Sequence, residues 1–230
     1  MSPLCLVMAA MTVAFAVGCI ALRSKNRAFE GMLCKFMASF GFVSVAVVGY
    51  TFNPIDTYYF CIVCFALLFG FCGDILLGIK EIAPTFKSKI FPLGLLYFLV
   101  GHIFYICAFV NMTGFSTGPL VFGLIFGVLG FGITKLFKMK IEQKSLHIAM
   151  CVYYFVLAYK AASAFVLAKS SGMAAFWVAF AGAVLFIISD TCLAILYFTP
   201  VKRKNIYVTV ELSTYYAAQI LLAMSVALLR

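Results

Sequence analysis

A polytopic all-α membrane protein is the fold class this sequence predicts, and three observations predict it. Of 230 residues, 66% are hydrophobic and only 10% charged, and the mean hydropathy of +1.14 is foreign to water-soluble domains. Apolar runs recur at 3–22, 29–50, 57–79, 90–110, 118–137, 146–168, 174–198 and 206–229, each able as a helix to cross a hydrocarbon core of about 30 Å. The connectors between them are short, so sequential helices are antiparallel neighbours. The expectation is a single domain over 1–230, a compact bundle of eight transmembrane helices with no room for a soluble domain.

The first run lacks a basic leader and is followed at once by Arg23, Lys25 and Arg27. That is the charge order of a retained helix with its N-terminus outside, and a signal peptide is not indicated. The connectors after helices one, three, five and seven hold 13 of the 17 basic residues: those three, Lys80, Lys87, Lys89, Lys135, Lys138, Lys140, Lys144, Lys202, Arg203 and Lys204. The positive-inside rule makes these connectors cytoplasmic and both termini non-cytoplasmic. The net charge of +10 is thereby explained, and a nucleic-acid partner is not indicated.

Between the second and third helices Asn53-Pro54 marks an outer turn, as does the stretch 111–118 after the fourth; Pro84 and Pro200 mark inner turns. The sequon Asn111-Met112-Thr113 abuts the fourth helix too closely to be a good glycosylation site. Helix five carries Gly123, Gly127 and Gly130, and helix seven Ala175, Ala179, Gly182 and Ala183, small residues that let backbones approach. Helices three and seven resemble one another, an apolar run leading to Gly73-Asp74 or Ser189-Asp190 and then leucines. A four-helix unit repeated in parallel would give that relationship. The nine cysteines all fall in apolar runs, where thiols act as small hydrophobes, and Cys61–Cys64 is an isolated CxxC on a membrane helix.

Asp74 in ALLFGFCGDILLGI and Asp190 in AGAVLFIISDTCLAILYF are ionisable groups inside membrane spans, where such residues mark functional sites. At about 1.5 Å per residue both lie roughly 8 to 12 Å from the inner ends of helices three and seven. Lys35 on helix two and Glu211 on helix eight occupy the same slab. His102 and Tyr105 share one face of helix four, and Glu211, Tyr215 and Gln219 form an i, i+4, i+8 stripe on helix eight flanked by Thr214 and Tyr216. On helix six one of Tyr159 and Lys160 should reach inward, and Tyr159 is the expected lining group, since a buried lysine costs more. Each has a structural reading too: Lys35 and Glu211 snorkelling to headgroups, the aspartates accepting hydroxyl hydrogen bonds, His102 packing.

No GxSxG elbow, HExxH or Cys/His cluster occurs, and with only His102 and His147 a three-histidine zinc centre cannot form. A metal on Asp74, Asp190 and His102 is not demanded by any spacing, and the expectation is that no metal is bound. An apolar cavity favours the neutral form of a carboxyl, making it a usable general acid, while a second, better-solvated or Lys35-paired carboxylate orients or deprotonates water. Protonation followed by water attack is the favoured chemistry, and a site opening toward the inner leaflet favours an amphiphile whose phosphate meets the basic rim. A proton-coupled or small-solute transporter and a non-catalytic lipid-binding protein are the alternatives.

The segments GFCGDILLG, GLLYFLVGHIFYICAF, GAVLFIISD and STYYAAQ resemble the signature segments of the YhhN-like membrane proteins, whose animal members include lysoplasmalogenase. The resemblance runs from Lys35 to Gln219. It implies an eight-helix enzyme of the endoplasmic reticulum or a related membrane that hydrolyses the vinyl ether bond of a lysoplasmalogen. The products are a fatty aldehyde and a glycerophospho-ethanolamine or glycerophospho-choline. It implies Asp74 and Asp190 as the catalytic pair, with Lys35, His102, Tyr105, Ser189, Tyr216 and Gln219 in the pocket. No redox cofactor and no obligate protein partner are expected.

Overall fold

The computed structural model describes residues 2–141 and 144–230, and it consists of eight long helices. They are α1 (Pro3–Ser24), α2 (Ala28–Phe52), α3 (Thr57–Ile82), α4 (Lys87–Thr113), α5 (Thr117–Leu136), α6 (Lys144–Ser171), α7 (Ala174–Phe198) and α8 (Lys204–Ala227), with one 3-10 turn at Pro84–Phe86. No strand occurs among the described residues. The side chains of Lys87, Lys89 and Lys144, three of the cations that mark the basic end of the bundle, lie outside the described residues.

Local chemistry sets the helix ends. Ser2 caps α1, its Oγ accepting from the Cys5 N–H at 3.3 Å with Pro3 in the first turn, and Asp56 caps α3 by accepting from the Tyr59 N–H at 2.8 Å. Gly114 stops α4 and Gly172 stops α6, both with positive φ that a side chain would oppose. Asn111-Met112-Thr113 falls in the last turn of α4, with the Thr113 hydroxyl bonded back to Phe109 O.

Seven helices, α1 to α7, are long and apolar enough to cross a membrane. In α8 the residues Glu211, Thr214, Tyr215, Tyr216 and Gln219 lower the mean hydropathy, yet this helix is packed against α1, α2, α3 and α7 and buries all of those but the half-buried Thr214. Its polar stripe faces protein. Large apolar side chains instead cover the outside, among them Val17, Phe40, Phe65, Leu124, Val128 and Ile188, as expected where lipid is the solvent.

The neighbour relations repeat under a shift of four helices. The pairs α1–α2, α2–α3 and α3–α4 correspond to α5–α6, α6–α7 and α7–α8, and α4–α6 corresponds to α8–α2. Contacts of α8 with α1 and α3 have no counterpart, and among the described residues α5 packs on the bundle only through α6. The glycine stripe explains that pairing: a Cβ on Gly123 or Gly127 would lie 3.0 or 3.1 Å from Phe155, and one on Gly130 only 2.7 Å from Tyr154. The bundle is thus two four-helix halves of like connectivity, which places Asp74 on α3 and Asp190 on α7 in corresponding positions.

Candidate functional site

Asp74 lies in a buried cluster built by α2, α3 and α8. Its Oδ2 accepts from Ser39 Oγ at 2.6 Å and from Tyr215 Oη at 2.5 Å, and its Oδ1 is 3.0 Å from Lys35 Nζ. Lys35 is therefore no snorkelling residue; its ammonium is buried in an ion pair. Behind Tyr215 runs a directed chain: the Tyr105 hydroxyl donates to Gln219 Oε1 at 3.1 Å, Gln219 Nε2 donates to Tyr215 Oη at 3.1 Å, and Tyr215 donates to Asp74. Tyr216 donates to the Lys35 carbonyl at 3.3 Å. Asp74 lines neither the cavity that Asp190 borders nor the one at the basic end between α1, α3, α7 and α8.

Asp190 is held by α4 and α6 and is half satisfied. Tyr153 Oη donates to its Oδ2 at 2.7 Å, and His102 Nε2 lies 3.4 Å from the same oxygen. On the far side of the imidazole, Lys160 Nζ is 3.1 Å from Nδ1. An ammonium can only donate, so Nδ1 is the acceptor and Nε2 carries the hydrogen that faces Asp190. Lys160 is itself 0% exposed, with its cation 4.1 Å from the Phe186 ring centre and 5.6 Å from that of Tyr105. Both donors to Asp190 converge on Oδ2, and among the described residues Oδ1 has no hydrogen-bond partner.

That carboxyl borders a cavity of about 180 Å³ between α4, α6 and α7. Leu95, Leu99, Met150, Leu193 and Phe198 form its walls together with Tyr153 and Tyr154, and among the described residues Asp190 is the one charged side chain in the lining. Pro92, Leu96 and Ala149 on its rim are exposed on the flank of the bundle, so the cavity opens sideways.

The helix-six expectation is corrected. Lys160, and not Tyr159, points inward; Tyr159 is half-buried and packs on Phe155. The cost assigned to a buried ammonium is offset here by His102 and by two aromatic faces. Glu211 also departs from the Asp74 group: it is buried 3.8 Å from Arg23 Nη1 at the basic end, and Arg23 also pairs with Glu81. Ser189 is buried beside Asp190 in sequence, yet no hydrogen bond ties it to the cluster. Among the described residues the two aspartates share no hydrogen-bond partner: Phe186 packs edge to face on His102 of one cluster and on Tyr215 of the other.

Two residues that shape these clusters, Ser39 and Tyr153, escape a reading of the sequence. Ser39 is one turn from Lys35 on α2, and Tyr153 and Lys160 are two turns apart on α6, so spacing alone could have joined each pair on one face. Among the described residues no three His, Cys, Asp or Glu side chains converge as metal ligands.

In comparisons with known proteins, no curated protein and no solved structure matches the chain. A family model does, over residues 31–226, a span that takes in Lys35, Asp74, His102, Tyr153, Lys160, Asp190 and Gln219. The chain belongs to the YhhN family.

Proposed function

We infer that the protein hydrolyses the vinyl ether bond of a lysoplasmalogen, with Asp190 as the proton donor. The observation that carries this reading is Asp190 itself: a carboxyl whose Oδ2 is occupied by Tyr153 and His102, whose Oδ1 has no hydrogen-bond partner among the described residues, and which lines an apolar cavity open on the bundle's flank. An alkenyl chain entering between α4 and α6 would bring its double bond to that oxygen.

The reaction balances with water alone as co-reactant. Asp190 transfers its Oδ1 proton to the β-carbon; the π pair of the double bond forms the new C–H bond and leaves an oxocarbenium ion. Water adds to the α-carbon and returns a proton to the Asp190 carboxylate, giving a hemiacetal. Protonation of the ether oxygen and cleavage of its C–O bond then release the fatty aldehyde and the glycerophospho-alcohol. While Asp190 is anionic, Tyr153, the His102 N–H and the Lys160 cation stabilise it, and fixed donors of this kind need no reorganisation during the reaction. Asp74 acts at one remove, holding Tyr215, Gln219 and Tyr105 in a single arrangement.

In this reading the basic end is cytoplasmic, both termini lie on the opposite side and all eight helices cross the membrane of the endoplasmic reticulum or a related compartment, and the distribution of basic residues supports that orientation. A single domain serving one lipid, with no obligate protein partner, accounts for the whole chain.

Aldehyde release from purified protein given lysoplasmalogen tests the reading. Release by the wild type and its loss in Asp190→Asn, by about 10²-fold or more as expected for a missing general acid, with the helical fold retained, would support it. Undiminished release in Asp190→Asn would sink it.

A further inference from the structure

At the basic end of the bundle the seam between α5 and α6 opens into a cavity of about 700 Å³, with Lys135, Lys138 and His147 around it and Phe131, Ile148 and Val152 as apolar walls. We propose that it binds an anionic phospholipid, the phosphodiester held by the two lysines and the imidazole and the start of an acyl chain laid on the apolar walls. This lipid is a resident one, distinct from whatever reacts at Asp190. On α6, His147, Ile148, Cys151 and Val152 face this cavity, while Leu146, Ala149, Met150 and Tyr153 face that of Asp190. The two sets lie on opposite sides of one helix.

The seam opens where its glycines end. Gly123, Gly127 and Gly130 let α5 lie against Phe155 and Tyr154 of α6. One turn on, the register passes to Thr134, which carries a side chain and is buried with its hydroxyl bonded back to Phe131 O at 2.8 Å. Just beyond, α5 ends in a left-handed turn at Lys138, φ +50°, where the Lys138 N–H donates to Lys135 O at 3.0 Å and the Met139 N–H to Thr134 O at 2.9 Å. Glycine is the usual occupant of such a position, because a Cβ opposes it. A lysine is held there by anchors on both sides: Thr199 Oγ1 donates to Phe137 O at 3.2 Å, and the Lys140 N–H to Phe198 O at 2.8 Å. The end of α7 thus fixes the turn that brings Lys138 to the cavity.

Lys135 Nζ lies 4.6 Å from the centre of the Phe131 ring, and the His147 ring is centred 6.0 Å from the same ring. One aromatic side chain thereby gathers two of the three donors. Among the described residues no carboxylate lines the cavity, and neither Lys135 nor Lys138 enters an ion pair. In the cavity between α1, α3, α7 and α8, by contrast, Arg23 is already matched to Glu81 and Glu211. Lysines without a counter-ion at the ends of membrane helices attract an anionic head group and hold its phosphate as point charges. Ile148 and Val152 are 65% and 47% exposed on the flank, so an apolar surface runs on from the cations along α6, where an acyl chain is the natural neighbour. An acidic peptide on the same cations would have to displace lipid from those side chains. Among the described residues α5 meets the bundle only through α6, and the bound lipid would fasten it at the end where the glycine contact is missing.

Native mass spectrometry of the purified protein in detergent tests this, with phosphatidylglycerol as the anionic probe and phosphatidylcholine of the same chains as the neutral one. We expect the first phosphatidylglycerol to bind about tenfold more tightly than phosphatidylcholine, and Lys135→Gln/Lys138→Gln to bring the ratio to about threefold or less. Lys202→Gln/Arg203→Gln removes the same charge from an exposed connector outside the cavity and should leave the preference within about twofold of the wild type. Equal affinity of the wild type for the two lipids, or an equal loss in both double variants, would overturn the proposal, since the basic end would then attract anions without a site. The preference should persist in Asp190→Asn; its loss there would identify the bound lipid as the one in the Asp190 cavity and remove the second site. Glycerol 3-phosphate should compete at least about 100-fold more weakly than the lipid, for want of a chain to bury, and equal potency would make the cavity a site for soluble phosphate esters. A polyglutamate peptide that excludes phosphatidylglycerol, and whose binding is lost in Lys135→Gln/Lys138→Gln, would make the face a docking site for protein and end the lipid assignment.

Discussion

Asp74 and Asp190 occupy corresponding helices of the two halves and draw their partners from corresponding neighbours, but among the described residues Asp74 Oδ1 is ion-paired with Lys35 at 3.0 Å while Asp190 Oδ1 has neither an ion pair nor a hydrogen bond. Asp74 on α3 is met by α2 through Lys35 and Ser39 and by α8 through Tyr215; Asp190 on α7 is met by α6 through Tyr153 and by α4 through His102. Each cluster includes one buried lysine. In the first half the lysine reaches the carboxylate directly and closes it; in the second, His102 stands between lysine and carboxyl. That one intervening imidazole keeps the cation from direct contact with Asp190, an arrangement that supports the donor role proposed for it. One half thus holds a structural carboxylate and the other a chemically available one.

Asp74→Asn is expected to act first on stability. Breaking a buried ion pair by removing one partner costs about 3–5 kcal/mol, and Lys35 is left buried without its anion. The thermal midpoint of the purified protein should fall accordingly, and the double variant Lys35→Met/Asp74→Asn should recover part of the loss. A single variant with unchanged midpoint and abolished aldehyde release would instead place Asp74 in direct contact with substrate.

Lys160→Met should separate an electrostatic role from a packing one. The side chains are of similar length, so Met keeps the packing on Phe186 and Tyr105 and spares the desolvation of a buried ammonium, which offsets the hydrogen bond lost from His102 Nδ1. We expect a melting midpoint near that of the wild type, KM changed less than threefold, and kcat reduced about tenfold or more, because His102 loses the donor that fixes its hydrogen toward Asp190 and the anion formed in the reaction loses its cation. Retained kcat would reduce Lys160 to a packing residue.

The architecture was legible because burial in a bilayer leaves a coarse signature: runs of apolar residues long enough to span, separated by basic or turn-forming connectors. The candidate residues were legible for the complementary reason, since Asp74, His102 and Asp190 are conspicuous against leucine and phenylalanine. What composition could not convey is pairing. Lys160 was read as too costly to face inward because the donor set that offsets the cost, His102 on α4 and Phe186 on α7, is assembled only by the packing of three helices. Similarly, Glu211 lies in the same stripe as Tyr215 and Gln219, but its position near the start of α8 gives it to Arg23 and the basic end. Tyr153 was missed because a tyrosine in an aromatic-rich membrane helix carries no signal until Asp190 is seen beside it.

Tyr153→Phe removes one of the two donors on Asp190 Oδ2 and leaves the ring in the cavity wall. Loss of a single hydrogen bond to a charged group is worth about 1.5–3 kcal/mol, so kcat should fall about tenfold to 100-fold, with KM and the melting midpoint little altered. Steady-state aldehyde release at saturating substrate checks this. Equal loss in KM would mean that the hydroxyl contacts the lipid in the ground state and does not serve Asp190.

Ala149→Trp tests the lateral entrance. Ala149 is exposed on the flank and also lines the Asp190 cavity, so a bulky apolar side chain there can face lipid without disturbing the core. It would narrow the opening between α4 and α6 through which an alkenyl chain must pass. We expect kcat/KM for a 16-carbon alkenyl substrate to drop at least tenfold while a short, water-soluble vinyl ether, which can approach from the basic end past Leu193, loses less than threefold. Equal loss for both substrates would locate the obstruction at Asp190 itself, and no loss for either would show that the chain reaches the carboxyl by another route.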